Sequence, residues 1–118
     1  GCPTGDARIT DGYNLPASRV IHTVGPVWSG GTRGEDELLA SCYRSSLALA
    51  DQHSLRSIAF PSISTGAYRF PLDPAARIAI SEIRGYLARG SSLEKVLTIC
   101  FDRATRECYA QALREIAT

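Results

Sequence analysis

The stretch that most limits what this chain can become is Ile58-Ala59-Phe60-Pro61-Ser62-Ile63-Ser64-Thr65-Gly66-Ala67-Tyr68-Arg69-Phe70-Pro71-Leu72-Asp73-Pro74. It passes from an apolar run through small residues into a marked helix start, which makes it a strand-loop-helix unit. Ser64, Thr65, Gly66 and Ala67 are small enough for consecutive backbone N–H groups to turn toward one point, and Gly66 can take positive φ without steric cost. A nest of that kind at a helix N-terminus suits a phosphate. Asp73 is the expected N-cap, and Pro74 then occupies the first helical position, where its missing N–H costs nothing.

The remaining chain alternates between strand and helix patterns. Asp6 to Thr10 is a short strand candidate, followed by a turn region marked by Asp11-Gly12, Asn14 and Pro16. Arg19 to Val24 is β-branched and apolar, as suits a strand covered on both faces, and Gly25-Pro26 ends it. Ser29 to Gly34 is rich in glycine but lacks the Lys-Ser/Thr of a P-loop, so it is expected to be a mobile polar connection. From Glu35 to about His53, Leu38, Leu39, Cys42, Tyr43, Leu47 and Ala50 recur at helical spacing, with three acids favouring the N-terminus. Ser57 to Pro61 is a buried strand. A helix from Pro74 to about Arg89 buries Ala76, Ile80, Ile83 and Leu87, and Gly90 stops it. Lys95 to Phe101 is the last strand, and Asp102 caps a final helix carrying Tyr109, Ala112, Leu113 and Ile116. This order implies α/β architecture with a largely parallel sheet. In such sheets ligands sit beyond the carboxyl ends of the strands, so the Ser62 to Phe70 loop and Phe101-Asp102 should share one crevice.

At 118 residues the chain makes one domain, 1–118, with a single core. Its net charge of +1, without a run of Lys or Arg, gives counterion-release binding to nucleic acid no source. Cys2, Cys42, Cys100 and Cys108 lack zinc or redox spacing and no secretory signal precedes them, which implies reduced thiols in a cytoplasmic protein. No apolar run is long enough for a bilayer, where about 20 residues are needed. No metal or cofactor is expected. The absence of methionine, and an opening at Gly1-Cys2-Pro3-Thr4-Gly5 that reads like the middle of a loop, suit a fragment.

The motifs Gly-Cys-Pro-Thr-Gly-Asp-Ala-Arg-Ile-Thr at 1–10, Tyr-Asn-Leu-Pro-Ala at 13–17, Val-Ile-His-Thr-Val-Gly-Pro-Val-Trp at 20–28, Leu-Leu-Ala-Ser-Cys-Tyr-Arg-Ser-Ser-Leu at 38–47 and Ile-Ala-Phe-Pro-Ser-Ile-Ser-Thr-Gly-Ala-Tyr at 58–68 together resemble macrodomains. The resemblance is to the branch containing O-acetyl-ADP-ribose deacetylases and mono-ADP-ribosyl hydrolases. It implies a three-layer sheet with helices on both faces, truncated at its N-terminus to the C-terminal two-thirds of the family domain. It also implies an ADP-ribose pocket in which Ser64, Thr65, Gly66, Ala67 and Tyr68 wrap the diphosphate with backbone amides. Tyr68 would pack on the distal ribose, with Phe101 and Asp102 near the adenosine half. The implied ligands are ADP-ribose, O-acetyl-ADP-ribose and ADP-ribosylated protein. Two N-terminal strands of the family, an Asn-Ala-Ala-Asn segment and an acidic, Gly-rich catalytic loop have no counterpart here, so no catalytic residue is assigned. The second of those strands lies in the family sheet between the counterparts of 19–24 and 57–61, and its omission leaves a central gap.

Beside these stand plainer readings. Phe70 is expected to pack and Tyr68 to face a ligand. His22 reads as a hydrogen-bonded sheet or core histidine, and His53 as a favourable charge at a helix C-terminus. Asp6, Asp11 and Asp102 are the acids placed to meet a substrate, yet none forms an acid/base couple. Two functions therefore remain: a hydrolase of ADP-ribose derivatives when complete, or a non-catalytic ADP-ribose-binding module that closes its gap by self-association. A Rossmann-like nucleotide binder is disfavoured because no GxGxxG follows a strand.

Overall fold

The computed structural model describes residues 2–12 and 17–116. In chain order it contains β1 (Ala7–Asp11), β2 (Arg19–Thr23), α1 (Glu35–Gln52), β3 (Ser57–Pro61), α2 (Leu72–Ala88), β4 (Lys95–Ile99) and α3 (Arg103–Ile116). The α/β order read from hydrophobic periodicity is observed element by element. The turn residues Tyr13, Asn14, Leu15 and Pro16, and Gly1, lie outside the described residues.

One boundary moves for a clear reason. Helix α2 begins at Leu72 with Pro71 as its N-cap, so Asp73 lies in the first turn and is not the cap. The Pro71 carbonyl accepts the first helical bond from the Ala75 N–H at 3.1 Å. Pro74 is tolerated two residues further in because the first four N–H groups of a helix have no intrahelical acceptor anyway.

The strands form two pairs. β1 and β2 are antiparallel, with Ala7 opposite Thr23 and Asp11 opposite Arg19. β3 and β4 are parallel, with Ser57 opposite Lys95 and Pro61 opposite Ile99. The largely parallel sheet expected from the sequence is thus corrected at β1, because the short link between β1 and β2 cannot make the crossover that parallel pairing needs. β3 and β4 are joined through α2, which is long enough to do so.

The core gathers Leu39, Tyr43 and Leu47 of α1, Phe60 of β3, Ala76, Ala79 and Ile80 of α2, and Tyr109 of α3. The rings of Tyr43 and Phe60 lie 4.9 Å apart and tilted, a favourable edge contact. α1 packs on α2 and α2 on α3, and all three contribute to one core with β3. Strand alternation explains what this leaves open. Ile58, Phe60 and Val96 turn toward the helices, whereas Ala59, Leu97 and Ile99 are exposed on the other side. Strands apolar on both faces read in sequence as doubly covered.

Candidate functional site

The segment Ser62–Phe70 leaves the carboxyl end of β3 and enters α2, as expected. Two residues in it have left-handed backbone, Ser64 (φ 66°) and Arg69 (φ 63°); Gly66 does not. The positive φ open to Gly66 is thus taken by its neighbours instead. A Cβ at Gly66 would point into open space, with nothing within 4 Å. The Arg69 N–H donates to the Gly66 carbonyl and the Phe70 N–H to that of Ser64, both at 2.9 Å. These bonds fold the loop on itself. Among the described residues, the N–H groups of Thr65, Gly66, Ala67 and Tyr68 have no acceptor.

The loop is held from below by side chains that the motif reading passed over. The Thr65 hydroxyl donates to the Ser62 carbonyl (3.1 Å) and to Ser62 Oγ (2.7 Å). Tyr109 of α3 donates its hydroxyl to the same Ser62 Oγ at 3.0 Å, and the buried Tyr43 hydroxyl lies 3.5 Å from that of Tyr109. Burial, with the neighbouring Tyr109 hydroxyl, pushes the Tyr43 phenol well above its ordinary value; burial also raises that of Tyr109. Both stay neutral at any ordinary pH, so this chain is structural. Phe70 packs as expected, buried against Trp28 with ring centroids 4.8 Å apart. The Trp28 N–H donates to the Tyr68 carbonyl at 2.8 Å, which ties the segment after β2 to the loop after β3. Tyr68 itself is 42% exposed.

A cleft of about 930 Å³ runs between β2 and β3 and reaches the loop, where Ser64 and Tyr68 line it. Phe101, 87% exposed, and Asp102 follow the adjacent end of β4 but do not line this cleft. Asp102 accepts the Thr105 N–H at 2.8 Å, which caps α3 as expected and lowers its carboxyl pKa. Asp6 pairs with Arg8 at 2.6 Å and Asp11 with Arg19 at 3.2 Å. His22 is an exposed sheet histidine whose Nε2 is 3.1 Å from Thr10 Oγ1. Cys42 is buried and unpaired, its thiol pushed up by burial. Among the described residues no group of three or more metal-ligating side chains comes together, and no helix is long and apolar enough to cross a membrane.

The second loop is where the sequence reading failed. Ser29–Gly34 was expected to be mobile, but Glu35, only 2% exposed, folds its carboxylate back into it. One oxygen accepts the Ser29 N–H (2.7 Å) and the Gly31 N–H (3.1 Å), and the other accepts the Arg33 N–H (2.7 Å). Burial pushes this carboxyl up, but those donors outweigh it and bring the pKa down to about 2. The signal available was an acid directly after a Gly-rich loop, at the start of a helix.

Known proteins resemble this chain in sequence and in overall fold. A family model described as "Macro domain" matches residues 1–79. A "Macro domain-containing protein" of Methanosarcina mazei is 53% identical over 116 residues, covering 98% of this chain and 62% of that protein. An "O-acetyl-ADP-ribose deacetylase" of Klebsiella pneumoniae is 52% identical over 112 residues, covering 95% of this chain and 64% of that one. Among solved structures, the Oceanobacillus iheyensis macrodomain with ADP superposes with a TM-score of 0.92 at 40% identity, covering 98% of this chain and 60% of that one. A Trypanosoma brucei macrodomain in complex with ADP-ribose does so with a TM-score of 0.87 at 44% identity, covering 96% and 47%. The chain thus spans less than two thirds of the length of these relatives.

Proposed function

The chain belongs to the Macro domain family, and we propose that its Ser62–Phe70 loop holds the diphosphate of ADP-ribose. The observation that carries this reading is the run of N–H groups from Thr65 to Tyr68 without acceptors, beside an open space at Gly66. Amides of that kind, fixed in place before the ligand arrives, match the charge and spacing of phosphate oxygens. In this reading Ser64 shapes the turn through its left-handed backbone, Tyr68 offers its exposed ring to the distal ribose, and the exposed Phe101 faces the adenosine half. Asp102 fixes the direction in which the chain leaves Phe101, by capping α3. ADP-ribosylated proteins and O-acetyl-ADP-ribose are the substrate class that such a pocket serves in a complete, cytoplasmic macrodomain of the hydrolase branch.

For this chain alone the reading is binding with at most trace hydrolysis. Attack of water on the distal ribose centre or its ester needs a group that orients that water, typically worth 10²–10⁴-fold. Asp6, Asp11 and Asp102 are each engaged, with Arg8, with Arg19 and with the start of α3. A ribose gripped only through its diphosphate is also free to swing, which forfeits effective molarity. Calorimetric titration with ADP-ribose, followed by a turnover assay on O-acetyl-ADP-ribose, tests both halves of the reading. Binding without turnover is the expected pair; absence of heat overturns the site, and robust turnover lost on Asp11→Ala or Asp102→Ala reassigns the acid.

A further inference from the structure

We propose that Arg69 is a specificity residue for the polypeptide that carries the ADP-ribose, and that it reads acidic side chains flanking the attachment point. Its backbone is strained. Among the described residues the left-handed positions are five glycines, two serines and Arg69, at φ 63°. A long side chain in that region crowds its own backbone, at a cost that glycine avoids. Arg69 is held there by its surroundings. Its N–H donates to the Gly66 carbonyl at 2.9 Å, the Tyr68 carbonyl before it accepts the Trp28 N–H at 2.8 Å, and the Phe70 N–H after it donates to the Ser64 carbonyl at 2.9 Å. Phe70 is itself only 2% exposed, against Trp28. Strain imposed in this way gathers at ligand clamps.

A glycine would make the same turn at less cost, so what the arginine adds is its side chain. Arg69 is exposed and makes no ion pair among the described residues, although Asp73 follows one helical turn later. Arg8, Arg19, Arg44, Arg77 and Arg103, by contrast, all find carboxylates within the chain. Position gives the partner. Arg69 directly follows Tyr68, whose exposed ring is read above as facing the distal ribose, and it lies beyond the amides of Thr65 to Tyr68 read as the diphosphate nest. Tyr68 lines the cleft between β2 and β3 and Arg69 does not, so its role is independent of what fills that cleft. In an ADP-ribosylated protein the polypeptide is joined through the distal ribose, and its residues therefore leave the pocket past Arg69. A guanidinium offers a planar fork of donors that matches a carboxylate in bidentate fashion. Because the backbone beneath this one is clamped by three hydrogen bonds, the fork starts from a fixed Cα and loses less freedom on pairing.

The test is a cycle of ligands and variants, read by calorimetry on the 118-residue chain. The ligands are free ADP-ribose and a pair of conjugates in which it is attached to one peptide, with either glutamates or glutamines on both sides of the attachment point. The wild-type chain is expected to bind the glutamate conjugate about fivefold more tightly at low salt, with a preference that fades as salt is raised. In Arg69→Gly, which makes the turn without strain, the preference disappears, free ADP-ribose binds within about twofold of wild type, and Tm rises by roughly 2–6 °C. Arg69→Gln keeps the strain and loses the preference as well, without the rise in Tm. A preference that survives both substitutions overturns the assignment. So does an equal loss of affinity for free ADP-ribose, which puts the guanidinium on the diphosphate, or a fall in Tm in Arg69→Gly, which makes the side chain a support of the fold. This role rests on the ADP-ribose reading. Wild-type binding of free ADP-ribose with no preference between the conjugates overturns the role of Arg69 alone, whereas no binding of free ADP-ribose overturns the reading beneath it.

Discussion

Two loops in this molecule follow a strand, carry small residues and lead into a helix, yet they have opposite fates. Ser29–Gly34 turns its N–H groups of Ser29, Gly31 and Arg33 inward, and the Glu35 carboxylate occupies them. Ser62–Phe70 is likewise followed by an acid in the first turn of its helix, Asp73 of α2, yet the amides from Thr65 to Tyr68 keep no internal acceptor. An anion nest filled by its own chain is a structural clasp. The same device left unfilled is the binding site proposed above, and what separates the two is that the Glu35 carboxylate turns back into its own loop.

The most severe way to break this comparison is to put an acid into the open nest. Gly66→Glu is expected to abolish ADP-ribose binding by calorimetry, because a side chain and a negative charge enter the space that Gly66 leaves free. Unchanged affinity in a folded variant would show that the loop is not the phosphate site. A smaller loss follows from Tyr68→Ala. Removing its exposed ring should weaken binding by about 1–3 kcal/mol through lost apolar contact, with little change in melting temperature. The opposite pattern, a large drop in Tm at constant affinity, would make Tyr68 a loop anchor.

Legibility in the sequence followed the same division. Strand and helix order was readable because β2, β3 and the helix faces carry strong periodicity, and Asp102 announced its cap at Thr105. The Glu35 clasp was not, because nothing in a polar, Gly-rich stretch distinguishes a solvated loop from one organised by a single carboxylate. The shift of the α2 start to Leu72 was missed for a related reason: Asp73-Pro74 is a good cap-and-proline pair, but Pro71 offers a fixed φ two residues earlier. The antiparallel β1 escaped because short connections, not strand composition, decide direction. Tyr109, which supports the candidate loop through Ser62, belongs to a helix face that reads only as core.

The filled nest gives a milder test. Glu35→Gln keeps the size of the side chain and removes the charge, so one oxygen remains to accept where two charged ones did. The melting temperature should fall by roughly 5–10 °C, as expected when buried donors lose charged acceptors. Affinity for ADP-ribose should stay within about threefold, because the clasp supports the Trp28 segment without lining the open nest. Loss of binding together with stability would mean that the two loops are one functional unit, coupled through the bond from the Trp28 N–H to the Tyr68 carbonyl.

The smallest expected effect is an acid-range change confined to one loop. The Glu35 carboxyl has an ordinary value of 4.5 and lies at about 2 in the folded chain. A group whose folded pKa is depressed contributes stability that is fully present above its unfolded value and is lost as pH falls through the folded one. The clasp should therefore hold at neutral pH and weaken between about pH 4.5 and 2. Asp51, drawn down to about 2 by the Tyr86, Ser92 and Ser91 hydroxyls, loses stability over the same acid range, so a global melt cannot separate the two. Trp28 can, because it is the only tryptophan and its ring lies against Gly31 inside the clasped loop, 2.8 Å from where a Cβ would stand. Its fluorescence should shift on acidification in the wild-type chain, before the loss of helical circular dichroism. In Glu35→Gln the shift should already be present at neutral pH and should show no further step in acid. A Trp28 signal that follows the circular dichroism in both proteins would mean that the carboxylate does not organise the loop, and the contrast between a filled and an open nest would fall with it.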